Sequence, residues 1–179
     1  MNNRNIAHIV FFLLIIGNII GCKNKPEETV QRQLFDLNWK VAYGDHISAY
    51  AFDFNDHNWQ NIDLPHTWSN DSEPTNLTSG TVWYRKHFEI PEHWINKKIL
   101  IDFQGISNNY ELFVNGTVIP DSYNEKNSVL AYLNPYLNQT TGKNVIVVRL
   151  TIPQNKKDSL DSKVGIYKNV WLVVKHDKN

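Results

Sequence analysis

The chain has 179 residues, enough for one domain of ordinary size and hardly two. Its 18 Lys and Arg balance its 18 Asp and Glu and form no long basic run, so no overall field draws it to nucleic acid. A hydrophobic content of 41% argues against disorder, and the single Cys excludes an internal disulfide framework and any Cys-based zinc site.

In chain order, residues 1–21 carry one Arg and no acid and lead into the apolar run Ile9–Ile16, the layout of a secretory signal. Bounded by His8 and by Gly17-Asn18, that run falls short of the about 20 apolar residues a membrane-spanning helix needs. It closes on Ile19-Ile20-Gly21-Cys22, which resembles the lipobox of bacterial lipoproteins. The resemblance implies a mature chain that starts at lipidated Cys22 and sits in the bacterial cell envelope, on its periplasmic or outer-membrane face. Its acyl chains would anchor it through buried methylenes, each contributing roughly 0.8 kcal/mol. The plainer alternatives are an ordinary signal peptide with a chance Cys, or an uncleaved anchor. From Cys22 onward, 17 basic residues stand against 18 acidic ones, a net charge of −1. Residues 22–34 are polar, aperiodic and contain Pro26; they read as a tether to a domain at 35–176, with a short tail at 177–179. Asn70, Asn76, Asn115 and Asn138 head Asn-x-Ser/Thr triplets, which stay idle in a bacterial lipoprotein.

From Phe35 onward the apolar residues alternate with period two. Strands are expected at Trp39–Ala42 and Val82–Phe88, then at Ile99–Phe103, where Ile99, Ile101 and Phe103 share a face. Tyr110–Val114 leads through Asn115-Gly116 into Thr117–Ile119, a strong hairpin signal because both turn positions need positive φ. Val145–Ile152 puts Ile146, Val148, Leu150 and Ile152 on one side, and Val170–Val174 closes the series. Pro65, Pro91, Pro120 and Pro153 stand at the ends of runs, where a missing N–H harms no ladder. The one helix candidate, Ser128–Leu137, has scattered apolar residues and contains Pro135. Many short strands between Gly, Pro and Asn turns predict an all-β, antiparallel β-sandwich.

Several segments in order resemble the amino-terminal sugar-binding domain of family 2 glycoside hydrolases, the β-galactosidases, β-glucuronidases and β-mannosidases. Phe35-Asp-Leu-Asn-Trp39-Lys is similar to the family's first strand. Trp59-Gln-Asn-Ile-Asp-Leu64-Pro65-His66-Thr-Trp68 resembles its W-x-x-V-x-L-P-H-x-W segment, and Gly80-Thr-Val-Trp83-Tyr84-Arg85-Lys86-His-Phe88 its G-x-x-W-Y-R-K-x-F strand. Phe103-Gln-Gly105-Ile, Leu112-Phe-Val114-Asn115-Gly116, Gly142-Lys-Asn144-Val-Ile-Val and Gly165-Ile166-Tyr167-Lys168-Asn169-Val170-Trp171-Leu172 follow in the family's order. The resemblance implies a jelly-roll sandwich of the galactose-binding-domain-like kind. Two departures stand out. Pro120-Asp-Ser-Tyr-Asn-Glu-Lys126 replaces a His-x-Gly-Gly-Tyr stretch, and Ser159-Leu-Asp-Ser-Lys-Val-Gly165 lacks the Arg-Trp pair that precedes this glycine in relatives.

Retaining glycosidases need two carboxyls roughly 5–5.5 Å apart. In the family resembled, both belong to a (β/α)₈ barrel, a fold of about 250 residues for which this chain has no room. Its seven Glu read as tether, loop and surface carboxylates, with Glu111 facing solvent. No phosphate loop or zinc-ligand spacing appears, and neither a cofactor nor a metal is expected. Sugar recognition combines aromatic faces with planar polar groups. The segment from His66 through Gly80 and the one before Gly165 supply both, with His66, Trp68, Asn76 and Asp161 as the candidate ligand-binding set. Trp39, Trp59, Trp83 and Trp171 read as packing residues, and Trp68 stands evenly between core and stacking platform. Arg85 and Lys86 read as strand-surface ion pairs, and Asn115-Gly116 as turn chemistry only. The expected function is a carbohydrate-binding or scaffold module, with a glycan as partner and the membrane reached through a lipid anchor. One alternative is part of a hydrolase whose catalytic domain is separately encoded; another is a surface lipoprotein that makes protein contacts.

Overall fold

In the computed structural model, which describes residues 29–68, 80–107, 109–119, 123–125, 128–138, 142–152 and 164–176, the period-two runs form strands, and there is no α-helix among the described residues. The expected signal, Cys22, Asn70, Asn76 and Asp161 lie outside this set. In chain order the strands are β1 (Thr29–Leu34), β2 (Trp39–Tyr43), β3 (Gln60–Ile62), β4 (His66–Trp68), β5 (Gly80–Glu89), β6 (Lys98–Phe103) and β7 (Tyr110–Val114). They continue as β8 (Thr117–Val118), β9 (Tyr123–Glu125), β10 (Ser128–Tyr132), β11 (Lys143–Ile152), β12 (Val164–Ile166) and β13 (Val170–His176). One sheet has the order β1-β13-β6-β10-β9, a second β3-β2-β5-β11-β7-β8, and β12 pairs with β4 in a separate two-stranded strip. All pairs are antiparallel.

The main core lies between the two large sheets. Ile99, Ile101 and Phe103 of β6 and Leu172 and Val174 of β13 meet Val82 and Tyr84 of β5 and Ile146, Val148, Leu150 and Ile152 of β11. Trp39 is fully buried here and donates its indole N–H to the Phe35 carbonyl at 2.8 Å. Asp36, also buried, closes one side by accepting from the Val170 amide and the Asn169 side chain, each at 2.7 Å. At the turn after β7, Asn115 and Gly116 both take positive φ, as the hairpin signal requires.

The outer face of the second sheet departs from a simple sandwich. Trp83, Phe113, Val145 and Val147 point away from the main core, yet they are buried with Ala49 and Trp59 in a second cluster. The segment between β2 and β3 covers them, and Arg85 fastens it. Arg85 is not a strand-surface residue: it is wholly buried, its Nη1 donating to the carbonyls of Ala49 (2.5 Å) and Ala51 (3.0 Å) and its Nε to Asp56 (2.9 Å). Lys86 is also corrected. It faces the main core side, lies 4.6 Å above the Phe35 ring and donates to the Leu37 carbonyl. Burial pulls its pKa down, and Asp63 and Asp36 push it back up without offsetting that.

Packing changes further expectations. Ser128–Leu137 is strand β10 followed by a single 3₁₀ turn at Asn134–Tyr136, because Val129 and Ala131 alternate inward while Leu130 and Tyr132 point out. Thr29–Leu34, placed in the tether, instead pairs along its length with β13, and Phe35 to Asn38 form the bend between β1 and β2 rather than a first strand. Asn115 does more than turn the chain. Its Nδ2 donates to Tyr136 O and Asn144 Oδ1, both at 2.8 Å, and its Oδ1 accepts from Val145 N at 2.9 Å. Glu111, expected in solvent, is partly exposed and paired with Arg149 across the ladder.

Removing Arg85 would leave the Asp56 carboxylate with Lys40 and His87 alone and take the donor from the Ala49 and Phe54 carbonyls. Arg85→Met is expected to lose about 3–5 kcal/mol of unfolding free energy, measured by urea denaturation. Burial raises the cost of the Asp56 charge, but hydrogen bonds from Arg85, Lys40 and His87 outweigh it and hold the carboxyl at about 2, below the ordinary 3.8. The folded state therefore binds this proton less readily than the unfolded chain. The stability Asp56 contributes is complete above about pH 4 and is lost as pH falls toward 2. Urea midpoints across that window should drop in the native chain and drop less in Asp56→Asn.

Candidate functional site

Strand β4 follows Pro65 directly, and its partner β12 lies so close that only glycine fits at its centre. A Cβ on Gly165 would sit 2.3 Å from the His66 carbonyl oxygen and 2.9 Å from Thr67 Cα, and its φ is +149°. The register pairs Trp68 with Val164, Thr67 with Gly165 and His66 with Ile166. On the other side of β12, Ser107 N donates to the Gly165 carbonyl at 3.0 Å, and the Gly165 amide donates to Ser107 Oγ at 2.8 Å. Tyr167 N donates to the Gly105 carbonyl at 3.0 Å, so the strip is held on both flanks.

The expectation that the segments before Gly80 and before Gly165 share a rim falls on residues outside the described set; their flanks are described. The residues that flank them are partners: Trp68 with Val164 in the strip, and Gly80 with Ile152 at the end of the β5–β11 ladder. Of the four candidate ligand residues, His66 and Trp68 are described and lie together, ring centroids 5.4 Å apart and nearly perpendicular. Asn76 and Asp161 fall in the two undescribed segments.

His66 is half-buried, and its Nδ1 lies 2.9 Å from the Tyr84 hydroxyl. Burial lowers the His66 pKa, which favours the neutral ring at pH 7. Burial also raises the Tyr84 pKa, and contacts from Trp68 and the Ile166 amide lower it without reversing that, so the phenol keeps its proton. Which of the Tyr84 hydroxyl and His66 Nδ1 donates in this contact follows the imidazole tautomer, and the contact fixes the ring's orientation in either case. Trp68 is partly buried against the main core, and its indole N–H has no hydrogen bond of standard geometry there. Tyr84 was not singled out as a site residue in the sequence, although its place two residues from Val82 on an alternating strand marks it as inward-facing.

Strands β4 and β12 with Tyr84 and Ser107 offer an indole, an imidazole, a phenol and hydroxyls, and none of these residues is Asp or Glu. Such a set can stack on and hydrogen-bond to a polyol; it holds no carboxyl pair for glycoside cleavage. Among the described residues no group of three or more His, Cys, Asp or Glu is arranged to hold a metal. Because Trp68 packs on the core, Trp68→Ala is expected to destabilise the fold by about 2 kcal/mol, some half of the cost for a fully buried Trp. Urea denaturation checks this, and an unchanged midpoint would make Trp68 a surface platform only.

Fold and site together define an antiparallel, galactose-binding-domain-like jelly roll with a polar and aromatic end. The chain belongs to the sugar-binding domain family of family 2 glycosyl hydrolases, whose model matches residues 37–175. It is 33% identical over 155 residues to a β-galactosidase of Bacteroides ovatus, a match that covers 79% of this chain and 18% of that protein. A β-glucuronidase of Formosa agariphila is 26% identical, over 77% of this chain and 16% of its own length. The crystal structure of a β-glycosidase from Bacteroides vulgatus superposes with a TM-score of 0.68 at 33% identity, covering 80% of this chain and 20% of that one. The chain thus spans about a fifth of the length of the relatives it matches.

Proposed function

We propose that this chain is a carbohydrate-binding module of the family 2 lineage that takes a glycan at the end framed by β4 and β12 and is held at the bacterial envelope by lipid on Cys22. The observation that carries the binding reading is the double register, Trp68 with Val164 and Gly80 with Ile152, which brings together the flanks of both candidate segments. In this reading His66 Nε2 hydrogen-bonds to a sugar hydroxyl, Trp68 offers the edge or face of its indole, and Asn76 and Asp161 complete the polar rim. Shallow burial at an open rim limits affinity to the order of millimolar, or about −4 kcal/mol. The lipid anchor rests on the Ile19-Ile20-Gly21-Cys22 sequence alone.

A second reading, part of a hydrolase whose catalytic domain lies on another chain or further along a longer one, is favoured by the small share of each relative that this chain covers. The names of the relatives make β-galactosides and β-glucuronides the first glycans to test. The purified chain is expected to leave nitrophenyl β-galactoside, β-glucuronide and β-mannoside uncleaved while these glycosides shift the Trp68 indole resonance. Sustained turnover would overturn the binding-module reading, and an unmoved indole would overturn the rim. Cys22→Ala should release the chain from the membrane fraction if Cys22 carries lipid.

A further inference from the structure

At the far end of the central ladder, where β5 finishes at Glu89 and β11 begins at Lys143, a groove of about 250 Å³ opens between Phe52, His87, Phe88, Glu89, Lys143 and Asn144. β5 and β11 are each ten residues long. At strand rise Tyr84, whose hydroxyl meets His66 of β4, lies about 16 Å along β5 from Glu89 at this groove. The two places are separate, and neither depends on the other.

The groove has one aromatic wall and one polar wall. Phe52 exposes 44% of its surface and is the aromatic wall, since the Phe88 ring packs into the main core edge-on to Phe35 at 5.3 Å. Glu89 and Lys143 are exposed register partners, and the exposed His87 imidazole is oriented by a 2.7 Å contact from Nε2 to the Asp56 carboxylate. Asn144 is a fixed floor rather than a ligand. Its Oδ1 accepts from Asn115 Nδ2 (2.8 Å) and Asn138 N (2.7 Å), and its Nδ2 donates to Gly142 O (2.8 Å).

Phe52 does not ride on a loose loop. Arg85 holds the carbonyls of Ala51 (3.0 Å) and Phe54 (3.4 Å) on either side of it. Gly116 lies beneath, where a Cβ would come within 3.9 Å of the Phe52 amide nitrogen. An exposed aromatic side chain on a backbone fixed in advance by a buried cation loses less freedom on binding than one on a loose loop. Its neighbours supply both donors and acceptors, the combination that recognises the apolar face and the hydroxyls of a sugar ring. The volume lies just under the roughly 300–1,000 Å³ of sites for drug-sized molecules, which suits a single ring. The two full charges that line the groove, Lys143 and Glu89, cancel, so it lacks the cationic excess that a uronate carboxylate would call for.

We infer that this groove is a second saccharide site, which takes one neutral pyranose unit with its C–H face on Phe52 and its hydroxyls on Glu89, Lys143 and His87. The test is a titration of the ¹⁵N-labelled, detergent-solubilised full chain with methyl β-galactopyranoside, methyl β-glucopyranoside, methyl β-mannopyranoside and methyl β-glucuronide. At least one neutral glycoside should move the amide signals of Phe52, Glu89 and Lys143 saturably in the millimolar range. Phe52→Ala and, independently, Glu89→Ala should each weaken that binding about tenfold while the rest of the spectrum stays that of the folded chain. The glucuronide should bind more weakly than the glucoside. The inference fails if no neutral glycoside moves these signals, if neither substitution weakens binding, or if the glucuronide binds more tightly. The Trp68 indole signal in the same spectra reports the rim, so the two sites succeed or fail separately.

Discussion

A guanidinium cut off from water must find every partner within the protein, and Arg85 does so at the outer face of β5. Its donors reach Asp56 and the carbonyls of Ala49, Ala51 and Phe54, all in the segment between β2 and β3. Asp56 in turn accepts from Lys40 at 3.0 Å and meets His87 at 2.7 Å, so one carboxylate ties the cover segment to two strands. Pinning that segment removes Trp83, Phe113, Val145 and Val147 from water and adds a second apolar layer to the sandwich. It also stacks Tyr50 on Phe113, ring centroids 5.4 Å apart, and fixes where Phe52 stands.

The opposite end of the molecule is organised by close approach rather than by charge. Glycine at 165 lets β12 lie against β4, and Ser107 locks the other flank with bonds in both directions to the same residue. Tyr84 links this strip to the core: its ring is buried between the sheets while its hydroxyl reaches His66 at 2.9 Å. Whatever the His66 ring contacts at its Nε2 side, its orientation is set from inside the fold, as a preorganised polar group should be.

How much of this could be read from the residues varies with how local each cause is. β6, the β7–β8 hairpin, β11 and β13 were legible because alternation and the Asn115-Gly116 turn are short-range signals. β1 was not: Thr29–Leu34 is polar enough to pass for a linker, and pairing with β13 makes it a strand. Ser128–Leu137 was ambiguous because a short apolar run ending near Pro135 suits either period until its partner strand is known. At the site, His66 and Trp68 were singled out in the sequence and lie together in β4, while residues 69–79 and 153–163 lie outside the described residues. Tyr84 as the partner of His66, and the Phe52 groove, had no signal of their own.

By itself the sequence determined the period and inward face of β6, β7, β11 and β13 and the hairpin geometry, since these follow from neighbouring side chains and from which residues tolerate positive φ. The order of its motifs determined the family as well. Only the tertiary structure decided which outward faces are wet. Arg85 sits on the face that alternation assigns to it, but whether that face meets solvent depends on residues 44–58, far away along the chain. Burial, and with it the Asp56 charge network, the half-buried state of Trp68 and the placing of Phe52 beside Glu89 and Lys143, is set by what packs on top, which no local pattern encodes.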